Sequence, residues 1–348
     1  MDYNISQLKS LLEKYKKSID QLIIVCNKKD DTVVVENYNN TSIDTEFLSD
    51  EEFQQLYNMA YSQNIPFDIF TSEVDFIKNI LSNYNKIKNK KIIVYNSAQN
   101  GTGAGRKSLI PSFCNLLGLT CTGSDAYRVS LCRDKFAINS ILEANNICVP
   151  KTFLYNGSDS SIVKIPTGKY LIKPLYESAS IGITDKNIFY TNSIPFDYIN
   201  ELSNSLKQPL IFQTFISGYE LEIPILKRNE DILVFDPVIL FFDKDELCMG
   251  DTILDYEKIY NDNYYFADLP NKLYHLNDNI KNIAKTVAEL LCLNGLCRVD
   301  GRIASNGEFY ITDVSTNPHF IKHSSVSYSF HKNNYTDSDI FKSILYLC

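Results

Sequence analysis

Several features that would assign this 348-residue chain to a protein class are missing from it. No apolar run approaches the roughly 20 residues that a membrane-spanning helix needs. The nine cysteines form no Cys-x-x-Cys pair, and none has a spacing to histidine that suits zinc. The first residues, MDYNISQLKSLLEKYKKS, are charged and amphipathic, unlike a signal peptide. These absences argue against a membrane, zinc-binding or secreted protein, and they favour the cytoplasm.

An excess of basic residues is missing as well. There are 34 lysines and arginines against 42 aspartates and glutamates, for a formal net charge of -8. A chain with this balance has no general electrostatic attraction for nucleic acid. It has no internal repeats and no low-complexity tract, and its length predicts two or three domains.

Alternating strand and helix patterns occupy the first 120 or so residues. Residues 22–26 and 91–95 are short apolar runs typical of buried strands, and residues 46–62 have helical spacing. This alternation predicts a small parallel α/β domain. Further helices are predicted at 126–144 and 280–291, and further strands at 170–174, 209–216, 221–226 and 235–242. The tyrosine-rich segment 251–270 is predicted to be a long surface loop that acts as a lid.

Residues 294–325 predict two strands joined by a turn at Asn306-Gly307, the strongest short hairpin signal in the chain. Side chains two residues apart on a strand share a face, so Asp313, Ser315 and Asn317 are expected to point together towards Asp300. Two carboxylates and neutral oxygens suit a hard divalent cation that also binds phosphates. The alternative is that both aspartates are ordinary carboxylates facing water.

Two other segments carry candidate anion-binding groups. The glycine-rich loop 101–108 follows a strand and precedes a helix, but Arg106 stands where a P-loop needs glycine. A substrate-facing loop that offers Arg106 and Lys107 to a carboxylate, and a plain flexible connection, both stay open. Lys173 lies in an apolar strand, where it is costly unless it meets an anion or reaches solvent from the strand end.

Seven short motifs occur in order between residues 91 and 325: LLGLTCTGS, RDKF, YLIKP with ESASIG, FISGYELEI, DYEKIY, GLCRVDG and VSTNPHFIKHSS. Together they resemble the ATP-grasp carboxylate–amine ligases, and most of all the D-alanine–D-alanine ligase family. The resemblance implies an α/β (α+β) ATP-grasp fold. Residues 1–120 would form an N-terminal α/β domain, and residues 121–205 and 206–348 would form two lobes that enclose ATP.

The resemblance also implies site residues. Those expected to hold ATP are Lys135, Lys173, Glu177, Ser178, Ser180, Gln213, Phe215, Ile216 and Glu220. Those expected to ligate Mg²⁺, or Mn²⁺, are Asp300, Asp313, Ser315 and Asn317. Those expected at the reacting groups are Arg298, which would steady the oxyanion, Tyr260 on the closing loop, and Ser324, which would bind the carboxylate of the second substrate.

The chain also departs from the family pattern. Ser315 stands where the family has asparagine, Ala179 replaces a serine, and His319 replaces a glycine. The N-terminal glycine-rich motif, whose glutamate anchors the first D-alanine in the family, is absent. These losses fall mainly on recognition of the first substrate, so we predict a ligase that joins amino acids or small peptides through an acyl phosphate.

Three other functions stay open at this point, and one of them is a P-loop kinase that uses residues 101–108. A true D-alanine–D-alanine ligase with an altered N-terminus would use D-alanine. A nucleotide-binding regulator without ligase activity would bind ATP without turnover, and Ser315 and the missing glutamate favour it. The expected partners are small molecules, and the resemblance further implies a homodimer.

Overall fold

The computed structural model of the protein describes residues 1–31, 46–101, 103–157, 165–243, 246–321 and 323–348. The strands are β1 (Asp2–Tyr3), β2 (Gln21–Val25), β3 (Phe67–Phe70), β4 (Ile92–Asn96), β5 (Thr120–Cys121), β6 (Thr152–Tyr155), β7 (Lys169–Pro174), β8 (Ile188–Tyr190), β9 (Leu210–Thr214), β10 (Gly218–Arg228), β11 (Asp231–Val234), β12 (Val238–Phe241), β13 (Tyr265–Asp268), β14 (Gly295–Ala304) and β15 (Phe309–Ser315). The α-helices are α1 (Leu8–Tyr15), α2 (Asp50–Tyr61), α3 (Glu73–Ile87), α4 (Leu109–Leu117), α5 (Ala126–Arg133), α6 (Lys135–Ala144), α7 (Phe196–Leu206), α8 (Tyr256–Tyr260), α9 (Asn277–Leu290), α10 (Ser325–His331) and α11 (Asp337–Tyr346). Short 3-10 helices lie at Ile5–Gln7, Arg106–Ser108, Asp185–Asn187 and Asn271–Leu276.

The strands of the first third of the chain form a parallel sheet in the order β3-β2-β4-β5. Parallel sheets are covered on both faces, so their central strands are continuous apolar runs rather than alternating ones. Strands β2 and β4 have this character and are almost wholly buried. The predicted parallel α/β arrangement is therefore confirmed.

The rest of the chain builds two antiparallel sheets. The smaller has the order β6-β9-β7-β8. In the larger, β1-β11-β10-β12-β13 form one path, while β14 pairs with β10 and β15 with β14. Strand β9 lies beyond residue 205, and β1 joins the large sheet from the start of the chain, so both sheets cross the predicted boundaries. The three-domain division itself stays a prediction.

The predicted hairpin around Asn306-Gly307 is confirmed. Strands β14 and β15 are antiparallel, and Gly307 has φ +83°, a conformation that glycine adopts without steric cost. The register of the pair shifts between Asp300 and Gly301. A Cβ atom on Gly301 would lie 2.4 Å from the carbonyl oxygen of Tyr310, so only glycine fits where the strands approach here.

Helix α9 shows how the large sheet is covered. Its buried residues Ile280, Ala284, Val287 and Ala288 recur at helical spacing and pack against the strands of that sheet. Burying a side chain such as Ile280 contributes roughly 1.5–3 kcal/mol. This packing anchors the sheet that carries most of the candidate site.

Two predicted elements are wrong. Residues 126–144 form two helices, because Asp134 is extended (φ -84°, ψ 92°) and its side chain caps α6 by accepting a hydrogen bond from the Ala137 N–H. Residues 251–270 are not a plain loop: they contain α8 and β13, which pairs with β12. Within the described part of the chain, none of the helices has the length and apolar character needed to span a bilayer.

Candidate active site

A cavity of about 590 Å³ lies between the small and large antiparallel sheets, and segment 46–49 of the N-terminal region forms part of its wall. Every site residue implied by the family resemblance lines this cavity. Pockets of this size take small-molecule ligands. The residues implied by the resemblance that meet here are up to 189 positions apart in the chain, from Lys135 to Ser324.

The floor of the cavity is built from alternate residues of three neighbouring strands. Asp300 on β14 lies opposite Glu222 on β10 and opposite Asp313 on β15. Two residues on, Arg302 lies opposite Glu220. Because side chains two apart share a face, one side of the sheet presents a row of charged groups to the cavity.

Arg298 is held between two carboxylates on this floor. Its Nε and Nη2 donate to Asp300 at 2.7 and 2.8 Å, and its Nη1 lies 2.9 Å from Glu222 Oε2. Burial disfavours its charge, but Asp300 and Glu222 raise the pKa of Arg298 above its ordinary value. Burial and the Glu222 carboxylate raise the pKa of Asp300 to about 7, although Arg298 opposes this. Arg298 is therefore a fixed positive charge at the centre of the floor.

Two lysines face these acids. Lys135, the first residue of α6, has its Nζ 3.8 Å from Asp313 Oδ2 and donates to the Glu177 carbonyl at 2.6 Å. Lys173 on β7 lines the same space, and burial lowers its pKa. Burial by itself would raise the pKa of Asp313, but the positive charges of Lys135 and Lys173 lower it below its ordinary value. Paired cations beside paired carboxylates can hold a polyphosphate together with its metal counter-ion.

The segment 177–182 forms a tight turn beside the two lysines. Ala179 and Ser180 have φ of +50° and +52°, which is uncommon for residues other than glycine. The turn is fastened on two sides, because Ser180 Oγ donates to the Leu254 carbonyl at 2.6 Å and Ser178 Oγ donates to Glu46 Oε1 at 2.7 Å. The backbone strain is thus maintained by contacts from other parts of the chain.

Glu46, which the sequence did not single out, is the centre of a buried ionic cluster. Its oxygens lie 3.1 Å from Arg106 Nη2 and 3.0 Å from Lys107 Nζ. Burial by itself would raise the pKa of Glu46, but Lys107, Arg106 and their neighbours lower it well below its usual range. Burial lowers the pKa of Lys107 to about 8.

The availability of Arg106 for a substrate carboxylate is a prediction that the structure contradicts. Arg106 is buried, and its guanidinium lies 3.1 Å from both Glu46 and Glu177. Lys107 does line the cavity, but it is paired with Glu46. Glu177 also accepts a hydrogen bond from Gln208 at 2.8 Å, so the structure places its carboxylate within this cluster.

Another part of the cavity wall is formed by the residues expected at adenine and ribose. Gln213 is on β9, and Phe215 and Ile216 follow it; Lys169 Nζ lies 4.3 Å from the Phe215 ring centroid. Glu220 forms an ion pair with Arg302. Arg302 was not predicted from the sequence, because only the register of β10 and β14 shows that its side chain meets that of Glu220.

Only some of the residues proposed as metal ligands lie next to one another. Asp300 and Asp313 are cross-strand neighbours, and Ser315 lies opposite Arg298. Asn317 lies beyond the end of β15, and its Nδ2 donates to the Asn96 carbonyl at 3.1 Å. Among the described residues, no group of three or more His, Cys, Asp or Glu side chains is arranged to hold a metal. An ion here would therefore need oxygens from phosphates or water, which is the usual state of protein-bound Mg²⁺.

Comparison with known protein families shows to which family this chain belongs. The model of the D-ala D-ala ligase C-terminus matches residues 162–346, just over half of the chain. The chain belongs to the D-alanine–D-alanine ligase family. Membership places it among ATP-dependent ligases that form carbon–nitrogen bonds, which confirms the predicted class.

Individual members of the D-alanine–D-alanine ligase family agree with this result. D-alanine–D-alanine ligase B of Clostridium tetani is 28% identical over 263 residues, which are 70% of this chain and 68% of that protein. The Bacillus anthracis D-alanine–D-alanine ligase complexed with ATP has a TM-score of 0.64 at 14% identity and covers 93% of this chain and 95% of its own. The VanG D-Ala:D-Ser ligase of Enterococcus faecalis has a TM-score of 0.63 at 16% identity, with 95% and 100% covered. The fold is therefore that of the ATP-grasp ligases of this family.

The cavity wall also contains the residues expected at the second substrate of such a ligase. Tyr260 on α8 is 65% exposed. Ser324 is buried and caps α10, since its Oγ accepts from the Ser327 N–H at 3.0 Å. His323 stacks on Tyr264 with ring centroids 4.7 Å apart. Tyr264 carried no signal in the sequence beyond its place in a tyrosine-rich segment.

Proposed function

We propose that the protein converts the carboxylate of an amino acid or short peptide into an acyl phosphate with ATP and transfers it to the amine of a second amino acid, releasing ADP and phosphate. The observation that carries the proposal is the junction of Lys135 and Lys173 with Asp300, Asp313 and Arg298 in one cavity. Phosphoryl transfer depends on alignment and charge neutralisation, and this set supplies both.

Each group has a part in this chemistry. Lys135 and Lys173 would hold the ATP phosphates, and Glu220 with the segment from Gln213 to Ile216 would hold the nucleoside. Arg298 would donate to the oxyanion of the tetrahedral intermediate that forms when the amine attacks. Tyr260 would close the cavity and keep water away from the acyl phosphate.

A magnesium ion fits the donor set provided that nucleotide phosphates complete it. Asp300, Asp313 and Ser315 would hold the ion, with the Asn317 side-chain oxygen as a further donor. When bound, the metal neutralises phosphate charge. Asp300 is engaged with Arg298, so binding of the ion requires that this carboxylate be shared or released.

The nature of the carboxylate donor is suggested by Glu46. The chain lacks the family's N-terminal glycine-rich motif, and Glu46 is an acid of the N-terminal region in the cavity wall. Arg106, Lys107 and Ser178 already contact its oxygens, so it attracts an ammonium group less than a bare carboxylate would. The absence of the motif supports a donor other than D-alanine, the amino acid after which the similar ligases of Clostridium tetani and Bacillus anthracis are named.

Measurement of phosphate and ADP release from ATP and Mg²⁺, with amino acids and dipeptides as D- and L-forms, tests the proposal. We expect strong stimulation by one donor–acceptor pair and little by D-alanine alone. Equal or better turnover with D-alanine would establish the D-alanine–D-alanine ligase instead. Nucleotide binding without turnover in any mixture would support the non-catalytic regulator, which the comparisons do not favour.

The loop 101–108 offers a separate test of where ATP binds. A P-loop kinase needs its lysine free for phosphates, but Lys107 is paired with Glu46. Lys173→Ala is expected to abolish nucleotide binding, while Lys107→Ala is expected to retain it. The reverse result, measured by calorimetry with an ATP analogue, would move the nucleotide to the loop.

A homodimer and a cytoplasmic location complete the proposal. Val74 and Leu81 on α3 and Leu109 and Leu116 on α4 are exposed apolar side chains, and Phe76 contacts Phe113 between the two helices. Such patches often mark association surfaces. Light scattering should show a dimer that Leu116→Glu dissociates, and cell fractionation tests the location.

A further inference from the structure

Arg302 makes an unusually complete set of contacts for a residue at a cavity wall. It is 5% exposed, and its Nε donates to Glu220 Oε2 on the neighbouring strand. Its Nη1 donates to the Ile216 carbonyl at 2.6 Å, and its Nη2 donates to the Thr252 carbonyl at 2.7 Å. Three separate segments therefore meet at one guanidinium.

All of these partners belong to the end of the cavity proposed to hold the nucleoside. Ile216 and Glu220 are expected at adenine and ribose, and Thr252 precedes Ile253, which also lines the cavity. The Arg302 guanidinium carbon lies 5.3 Å from the centroid of the Phe215 ring. The planar, forked donor set of arginine can hold such acceptors in one geometry, which a lysine ammonium cannot do.

We propose that Arg302 is a positioning residue for ribose recognition. It fixes Glu220 through Oε2, so that the accessible part of this carboxylate, whose side chain is 22% exposed, accepts hydrogen bonds from the ribose hydroxyls. A carboxylate has acceptor sites for both partners, because each oxygen carries two lone pairs. The proposal rests on the proposed function, in which this end of the cavity binds the nucleoside of ATP.

The positive charge of Arg302 also allows the acidic side chain of Glu220 to bind the ribose of a polyanionic nucleotide. An uncompensated Glu220 would repel the triphosphate of the same nucleotide, while the ion pair has no net charge. The charge of Arg302 thus allows a carboxylate to select hydroxyl groups without weakening attraction for the phosphates.

Binding of ATP and 2′-deoxy-ATP to the full chain by calorimetry tests the proposal. We expect the wild type to prefer ATP by about tenfold or more, the value of a hydrogen bond to a charged group. Arg302→Lys should weaken ATP binding and bring the ratio of the two affinities close to one. Glu220→Gln should also reduce the ratio, and the double variant should show no further loss in it. Arg128→Lys, which alters a half-buried arginine paired with Asp125, is the matched control and should keep the wild-type ratio.

The possible outcomes are distinct. If Arg302 only ties the three segments together, Arg302→Lys will weaken both nucleotides equally and leave the ratio unchanged, which overturns the proposal. If Arg302→Lys does not fold, an unchanged ratio in Glu220→Gln overturns it, because Glu220 then does not recognise the ribose. If the wild type binds neither nucleotide, the proposed function fails instead.

Discussion

At the scale of single residues, the site is organised by charge pairs that no motif reveals. Arg298 and Asp300 belong to a recognisable sequence pattern, and their places in the cavity could be anticipated from it. Glu222 and Arg302 could not, because their importance depends on which residues of β10 lie opposite β14. Register between strands that are more than 60 residues apart in sequence is decided by packing of the whole sheet, which a single sequence does not show.

The position of Arg298 between two carboxylates leads to a prediction about catalysis. Arg298→Lys retains the charge but cannot contact Asp300 twice and Glu222 at the same time. We expect kcat to fall by about a hundred- to a thousandfold, the usual effect of losing an oxyanion donor, with a much smaller change in the KM for ATP. Steady-state kinetics beside Arg128→Lys measures this. A loss confined to KM would show that Arg298 serves in binding instead.

The ionic cluster around Glu46 predicts a dependence of stability on pH. The pKa of Glu46 is lower in the folded protein than its ordinary value of 4.5, so the unfolded chain binds more protons as the pH falls. The stabilisation is fully present above pH 4.5 and is lost as the pH decreases through the folded pKa. Glu46→Gln leaves Lys107 without its carboxylate partner and Arg106 with Glu177 alone, and we expect it to cost about 3 kcal/mol at pH 7.

Urea unfolding of both proteins from pH 3.5 to 7 checks the Glu46 prediction. The two free energies of unfolding should approach each other as the pH falls below 4.5. A difference that stays constant over this range would mean that the cluster does not stabilise the ionised carboxylate.

At the scale of elements, the hairpin β14–β15 was predictable because its turn signal is local. The break between α5 and α6 had a local signal too, since aspartate is a favoured N-cap, but the surrounding helical pattern outweighed it. Strand β13 had no local signal in the sequence. Its residues form a strand because they pair with β12. Local signals thus account for the turns and helices, while edge strands depend on tertiary pairing.

The close approach at Gly301 gives a prediction for the hairpin. Gly301→Ala would place a methyl group against the Tyr310 carbonyl and the Phe309 ring, at 2.4 and 2.5 Å. We expect a loss of about 1–3 kcal/mol in the free energy of unfolding, as for other overpacked sites. Gly105→Ala is the control, because no neighbouring atom of the described residues lies within 4 Å of a Cβ built there. Equal urea midpoints for the two variants would show that the strands can separate at this point without cost.

At the scale of the whole molecule, the cavity is formed only when three parts of the chain come together. Segment 46–49 comes from the N-terminal region, Lys173 from the small sheet and Asp300 from the large sheet. A ligand that contacts all three stabilises the folded chain as a unit. Family resemblance anticipated this architecture, while the wall supplied by segment 46–49 followed from the structure alone.

Ligand and metal removal should therefore change global stability. A non-hydrolysable ATP analogue with Mg²⁺, at 100 times its dissociation constant, should raise the free energy of unfolding by about 2.7 kcal/mol. EDTA should remove part of this gain, because Asp300 and Asp313 would then lack the ion that joins them to the phosphates. Thermal melts of the wild type and Asp313→Asn with nucleotide, before and after EDTA, measure this loss of stability. Only the wild type should respond to EDTA. An equal response in both would exclude Asp313 as a ligand.

The continuity of the cavity from Phe215 to Ser324 has a consequence for inhibitor chemistry. Among the described residues, the part proposed for the nucleoside and the part proposed for the two amino acids line one cavity, so one covalent molecule can occupy both. An adenosine diphosphate tethered to a phosphinate dipeptide would bind with only one loss of translational freedom, and its affinity should far exceed that of either fragment.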